Sequence, residues 1–528
     1  NMRNYPIETF DDILPYVGEA SRYQWFLFIM LLPFTFVYAF LYFTQFFITL
    51  LPAEHWCTVP ELEQWNLTDK QKRSRVPEEL LAEGATSFSR CNMYNVNYTD
   101  ILESGIREAN PSWPIKPCQY GWTFNHTMIP YKSIAVELEW VCDHAFLGSA
   151  AQSAFFVGSI LGGLIFGYIA DHCGRIPALV ACNAVGFIAS VGTAFCNSFW
   201  SFCLARLVVG TSFDNCFNVL FIIVIEYVGP KYRTLVANMS FGLYFAAASS
   251  LLPWIAYWIS NWRILSMVTA CPMVAFITFA YFIHFRSWYI TSGRVDKAIE
   301  MLKHFAKVNG KEVKQEIFDE FEKSCKAMNE KDQSHNQYTV LHLFKLPRLG
   351  RITIMLLMVW VFDGHVWNMK LLDPDVFTSF SLASLTELPA AVLLALFLDR
   401  WGRRWMGFAS MFLCGIFSFV AIATPSAIVA FTYFSTLNIA ANIGFQYAAE
   451  MLPTVVRAQG VSLIHIIGYI ADIDPSLPLV ALGLLSFGHA FLTLGLPETL
   501  NQELPETLQE GNDFGKEQSF WWVPCISS

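Results

Sequence analysis

Three carboxylates stand where a carboxylate is costly. Asp214, Asp363 and Glu387 each fall near the middle of an apolar run long enough to cross a bilayer. Ionisable side chains at that depth mark ion or substrate paths and proton relays. At a common depth, three acids make a cavity of negative potential, suited to holding a positive group and not to covalent chemistry. Aromatic rings add to this, since an ammonium gains about 0.5–2 kcal/mol over a ring face. Trp360 and Trp367 lie at −3 and +4 from Asp363, so all three share one helical face, while Tyr244 and Phe245 sit inside another span. Arg206 is the one basic residue well inside a span, and it is expected to neutralise an acid structurally.

A second set of charges ends the apolar runs. DHCGR closes one run with Asp171 and Arg175, and DRWGRR closes a later one with Asp399 and Arg403. EYVGPKYR then places Glu226 seven residues before Arg233, and EMLPTVVR places Glu450 seven before Arg457. The interval from Asp171 to Asp399 nearly equals that from Glu226 to Glu450, which predicts two repeated halves. Parallel repeats about an axis along the membrane normal are one architecture of membrane carriers, with the binding site between the halves near midplane.

The elements that must position these residues follow from composition. The 528 residues are 54% hydrophobic and 15% charged, against about 45–50% and 25% in an ordinary soluble chain. The net charge of −9 says little, because the charges are confined to a few segments. Twelve spans are predicted near 24–51, 145–170, 177–195, 200–228, 235–258, 263–285, 350–371, 375–398, 405–423, 427–449, 459–471 and 477–496. The eleventh is short for a crossing. Residues 1–22 lack the apolar core of a cleavable signal. Arg175, Lys231, Arg233, Arg400, Arg403, Arg404 and Arg457 fall on one side, against Arg263 and Lys370 on the other, which puts both termini in the cytoplasm.

The expected organisation is a six-helix half over 1–285, a cytoplasmic linker over 286–349, a second six-helix half over 350–500 and a cytoplasmic tail over 501–528. The outer loop 52–144 holds sequons at Asn66, Asn97 and Asn125, and Cys57, Cys91, Cys118 and Cys142. Both features fit an oxidising exterior, and four cysteines leave three pairings open. Asn238 begins another sequon at the inner edge of a span and should be silent. In the linker, Val295, Ala298, Ile299, Leu302, Phe305 and Ala306 recur at helical spacing between Gly293 and Gly310, as in an amphipathic helix packed under the bundle. No phosphate loop, metal-ligand spacing, basic tract or nucleophile–base pair stands out, so cofactors, metals, nucleic acid and enzymatic chemistry are not expected.

The two signature loops resemble those of the major facilitator superfamily. FDDILPYVGEASRYQ (10–24), LEWVC (138–142) and LPETLNQELPETLQE (496–510) are similar to the organic cation/anion/zwitterion transporter family (solute carrier 22). The departures are His172 and Ile176 in the first loop, FRSWYITSGR (285–294) after the sixth span, and the short eleventh span. The resemblance implies an all-α membrane protein with the twelve-helix major facilitator fold in the plasma membrane. It also implies that Asp171, Arg175, Glu226, Arg233, Asp399, Arg403, Glu450 and Arg457 pair into an inner gate that breaks as the halves rock. Cation-carrying relatives favour acids in the eighth span, as Glu387 does, and in the eleventh, where Asp472 and Asp474 are insecure matches. The expected cargo is a small organic cation such as an amine, a quaternary ammonium or a carnitine-like compound. The rivals are an H⁺- or Na⁺-coupled zwitterion or anion carrier, and a regulatory homologue that carries nothing.

Overall fold

An apolar run crosses hydrocarbon as a helix because the helix satisfies every backbone donor and acceptor within the run. The computed structural model describes residues 10–18, 21–52, 54–63, 72, 76–80, 86–103, 109–127, 129–172, 175–228, 230–282, 295–331, 340–360, 375–424, 426–453, 456, 460, 479–500, 502, 505, 508–516 and 518. A short helix α1 (Phe10–Val17) precedes the first half. That half holds α2 (Arg22–Ile48), α3 (Phe146–His172), α4 (Arg175–Thr193), α5 (Phe199–Tyr227), a composite fifth span and α8 (Trp262–Phe282). The fifth span consists of α6 (Pro230–Met239), a π-helical turn at Ser240–Phe245 and α7 (Ala246–Ile259). The linker forms α9 (Val295–Val308) and α10 (Gln315–Lys331). The second half holds α11 (Pro347–Trp360), an eighth span that runs through α12 (Val376–Leu385) and α13 (Glu387–Trp401) with one tightened turn at Thr386, α14 (Arg403–Ala423), α15 (Ala427–Met451) and α16 (Leu479–Leu494). A last helix, α17 (Leu508–Asp513), follows. Among the described residues, 5 helical stretches are long and apolar enough to cross a membrane, accompanied by shorter apolar helices. Residues 461–471 of the predicted eleventh span lie outside the described residues.

Glycine sets the tightest seam. A Cβ added at Gly158 would meet Leu207 O at 1.9 Å, one at Gly162 would meet Thr211 O at 1.9 Å, and one at Gly210 would meet Phe155 O at 2.0 Å. Bare backbone therefore lets α3 and α5 lie against each other, as small residues do between membrane helices. The halves meet along the fifth and eighth spans, with α7 on α12 and with α6 and the π turn on α13. Ser381 Oγ donates to Ser250 O at 3.1 Å across that seam. Nearby, Phe43 and Phe47 of α2 lie 4.8 and 5.1 Å from Phe380 of α12 between ring centroids.

The 52–144 loop folds on three antiparallel strand pairs. They join β1 (His55–Cys57) to β6 (Trp122–Phe124), β2 (Glu78–Leu80) to β3 (Thr86–Phe88), and β4 (Asn92–Tyr94) to β5 (Ile115–Pro117). Of the three pairings open to the cysteines, the structure has Cys57–Cys118 and Cys91–Cys142. Trp140 is buried with its ring centroid 5.7 Å from those of Phe199 and Phe202, docking the loop on α5. Arg263, at the start of α8, bonds to Glu137 of the loop at 2.8 Å and to Ala194 O at 2.9 Å.

The linker helix forms as its spacing predicts, and Gly310 follows it at φ +66°. Ile299, Leu302, Phe305 and Ala306 are buried in one core with Ile13 and Val17 of α1. Asn309 ties the two segments together: its Nδ2 donates to Val17 O at 3.0 Å and its Oδ1 accepts from Tyr23 N at 2.9 Å.

Candidate functional site

Glu387 begins α13, just after the tightened turn at Thr386 in the eighth span, and is 6% exposed. Two amides one turn apart on α15 meet this turn: Asn438 Nδ2 donates to Thr386 Oγ1 at 2.9 Å, and Asn442 Nδ2 donates to the Glu387 carboxylate. Buried carboxylates need such partners. On the facing half, the π turn brings Gly242 so close that a Cβ there would meet Ala391 Cβ at 2.0 Å and Glu387 O at 3.6 Å. The same turn carries Phe245, whose centroid lies 5.9 Å from those of Tyr38 and Phe43. Tyr38 in turn stacks on Phe213 at 4.7 Å. One short irregular segment thus joins the acid of the second half to an aromatic wall of the first, and π turns recur at functional sites. Tyr244, buried on the π turn, packs on Phe28 of α2 at 5.1 Å.

Asp214 is 2% exposed at the middle of α5, where it accepts from Ser159 Oγ of α3 at 2.6 Å. That holds it in the α3–α5 seam inside the first half, whereas Glu387 stands at the seam between halves. Asp363 and Trp367 lie outside the described residues, and Trp360 closes α11. Arg206 corrects the expectation placed on it. Among the described residues it meets no acid, because neutral oxygens and a ring take its charge. Its Nε donates to Gln45 Oε1 at 2.5 Å, its Nη2 donates to Leu41 O at 3.4 Å, and the guanidinium lies 4.7 Å from the Phe155 centroid.

The second-half charges form one network. Arg403 Nε and Nη2 each donate to Glu450 at 3.1 Å, and its Nη1 donates to Asp399 at 2.9 Å. Glu450 also accepts from Gln446 Nε2 at 2.7 Å and from Thr499 Oγ1. Gln446 Oε1 accepts from Asn238 Nδ2 of α6 at 3.3 Å, so the network reaches the first half. Asp171 stands near the end of α3 and Arg175 begins α4, while Glu226 falls at the end of α5 and Arg233 stands in α6. Arg457 lies outside the described residues.

Sequence reasoning missed Glu498, which is fully buried. It accepts from the backbone N–H groups of Arg403 and Arg404 at 2.9 and 3.0 Å, capping α14 with a negative charge. Its signal was the LPET stretch, taken there only as a family mark. Asn438 and Asn442 were missed as well, though two amides four residues apart in an apolar run were visible.

Asn97 is exposed, and Asn125 is half-buried with its Nδ2 donating to Glu54 at 2.7 Å. Asn66 lies outside the described residues. Asn238 is buried.

A family model described as sugar (and other) transporter matches residues 119–473. The chain is 31% identical to the carcinine transporter of Drosophila melanogaster, over 97% of this chain and 80% of that one. It is 30% identical to the β-alanine transporter of the same organism over 98% and 91%, and 30% identical to its organic cation transporter protein over 96% and 95%. Among solved structures, the inward-open xylose transporter XylE from E. coli superposes with TM-score 0.53 at 12% identity, covering 92% of this chain and 98% of that one.

Proposed function

The chain belongs to the sugar (and other) transporter family of the major facilitator superfamily, and from that premise we propose that it carries small organic cations across the plasma membrane by alternating access. The observation that carries the cargo is Glu387: a buried carboxylate on the seam between halves, answered by Asn442 and with its main chain against the π turn that also carries Phe245. The relatives named for carcinine and for organic cations support it. A potential of about 100 mV supplies roughly 2.3 kcal/mol per positive charge, enough for about fiftyfold accumulation without ATP. The Asp399–Arg403–Glu450 network, with its first-half counterparts, is read as the inner gate; the basic loops are read as cytoplasmic and loop 52–144 as external and glycosylated. Asp363, Asp214, Trp360, Trp367 and Tyr244 remain proposed contributors to the cavity.

Voltage-clamped uptake of tetraethylammonium in frog oocytes tests this directly. Uptake should grow with inside-negative potential, and Glu387→Gln should abolish that growth at equal surface expression. The relative named for β-alanine favours a second reading, a zwitterion cargo. Uptake of β-alanine without uptake of tetraethylammonium would select it.

A further inference from the structure

Away from the seam, a cavity of about 490 Å³ lies under the first turn of α11. Arg348 and Arg351 of α11 line it, together with Asn512 and Asp513 of α17 and Lys516 just beyond. Three cations face one acid, and that acid is shared with Lys516 at 3.5 Å. Arg348 spends one donor on Phe514 O at 3.2 Å. Arg351 is exposed and makes no ion pair or hydrogen bond among the described residues. The first turn of α11 adds the positive end of a 14-residue helix, where unpaired N–H groups and the macrodipole favour an anion.

The surroundings favour a lipid as bearer of that anion. Ile354 and Met358 follow Arg351 on one face of α11 and are 52% and 50% exposed, although apolar. On a membrane helix that stripe faces acyl chains, so it runs from the cavity straight into hydrocarbon. The cavity thus sits where a headgroup meets its tails, with its cations at the depth to which arginine and lysine reach from a helix end. Pro497 forms part of its wall and immediately precedes Glu498, the cap of α14.

We propose that this cavity binds the phosphate headgroup of an anionic phospholipid, held by Arg348, Arg351 and Lys516 with the acyl chains laid along Ile354 and Met358. The site braces the Pro497–Glu498 strut beside the charged network. It rests on the membrane-carrier reading but not on any choice of cargo.

Purified full-length protein, titrated in neutral detergent with dioctanoyl phosphatidylglycerol and followed by native mass spectrometry, tests it. Dioctanoyl phosphatidylcholine and inorganic phosphate serve as the other arms. Phosphatidylglycerol should bind about tenfold more tightly than phosphatidylcholine, and Arg351→Gln with Lys516→Gln should erase that preference. Lys311→Gln, an exposed cation on the linker, should leave it intact. Both substituted side chains are exposed, and spectra are read only from monodisperse protein that keeps its melting temperature. Equal binding of the two lipids, or a preference that survives the double variant, overturns the site. Displacement of phosphatidylglycerol by inorganic phosphate at equal concentration overturns the lipid as its occupant.

Discussion

Glu387 keeps its place because Asn442 answers its charge. Removing that answer leaves a buried carboxylate short of a hydrogen bond, at a cost of about 1–3 kcal/mol. Asn442→Leu should therefore lower the melting temperature in detergent, whereas Glu387→Gln preserves an acceptor for Asn442 and should melt like the parent. If Glu387 holds cargo, that same silent variant should lose at least about tenfold in tetraethylammonium uptake, the effect of roughly 1.4 kcal/mol. A Glu387→Gln protein that melts normally and transports normally would remove the carboxylate from the site. The acid itself was legible in the sequence, because charge inside an apolar run cannot be overlooked. The role of its amide partners was not, since Asn438 and Asn442, though visible in an apolar run, carry no charge and gain their meaning only when α15 is laid against Thr386 and Glu387. Arg206 teaches the converse: position predicted an acidic partner, and Gln45, Leu41 and Phe155 supply the contacts instead.

Elements were legible where period and length agree, and illegible where two elements meet. The linker helix and most spans follow from apolar runs, but the π turn at Ser240–Phe245 and the tightened turn at Thr386 lie where the two halves meet. Their apolar composition is that of an unbroken helix. The glycines of α3 and α5 carry the same lesson, for only the packed pair shows Gly162 pressed on Thr211 O at 1.9 Å. Overpacking there costs about 1–3 kcal/mol or more. Gly162→Leu should reduce the monodisperse fraction in fluorescence-detected gel filtration far below that of Gly148→Leu, where a Cβ meets nothing within 4 Å.

The 52–144 loop offers a pH test at the same scale. Burial pushes the pKa of His55 below its ordinary 6.5; its bond to Pro52 O opposes that shift and nearby Arg90 adds to it. A lowered histidine pKa leaves the loop's stability intact above about 6.5 and erodes it as pH falls, because the unfolded chain takes the proton first. Protection of the β1–β6 amides, with the intrinsic pH dependence of exchange divided out, should fall as pH is lowered from about 7.5 to 5.5, and His55→Phe should flatten that change.

At the scale of the whole molecule, the two halves touch through contacts of different kinds. Toward one end of the seam, Phe43 and Phe47 close on Phe380. Toward the other, Asn238, Gln446, Glu450 and Arg403 form a polar chain from α6 into the second half. The repeat of acid–arginine motifs made the halves visible in the sequence, yet nothing there showed that the asparagine of a sequon, Asn238, would form a polar link between them. An exposed ion pair contributes at most about 1 kcal/mol, but Arg403 is buried and serves two carboxylates at once, so its loss should shift the balance between conformations more. A change of about 1.4 kcal/mol multiplies the ratio of two states tenfold. In inside-out vesicles, Asn238→Cys probed with a membrane-impermeant maleimide reports opening at this end. Adding Arg403→Gln should speed its labelling about tenfold, and adding Arg403→Lys should speed it less, since lysine keeps the charge but loses the paired donors. Labelling that Arg403→Gln leaves unchanged would mean that the network fastens α14 to α15 within the second half and does not hold the halves together.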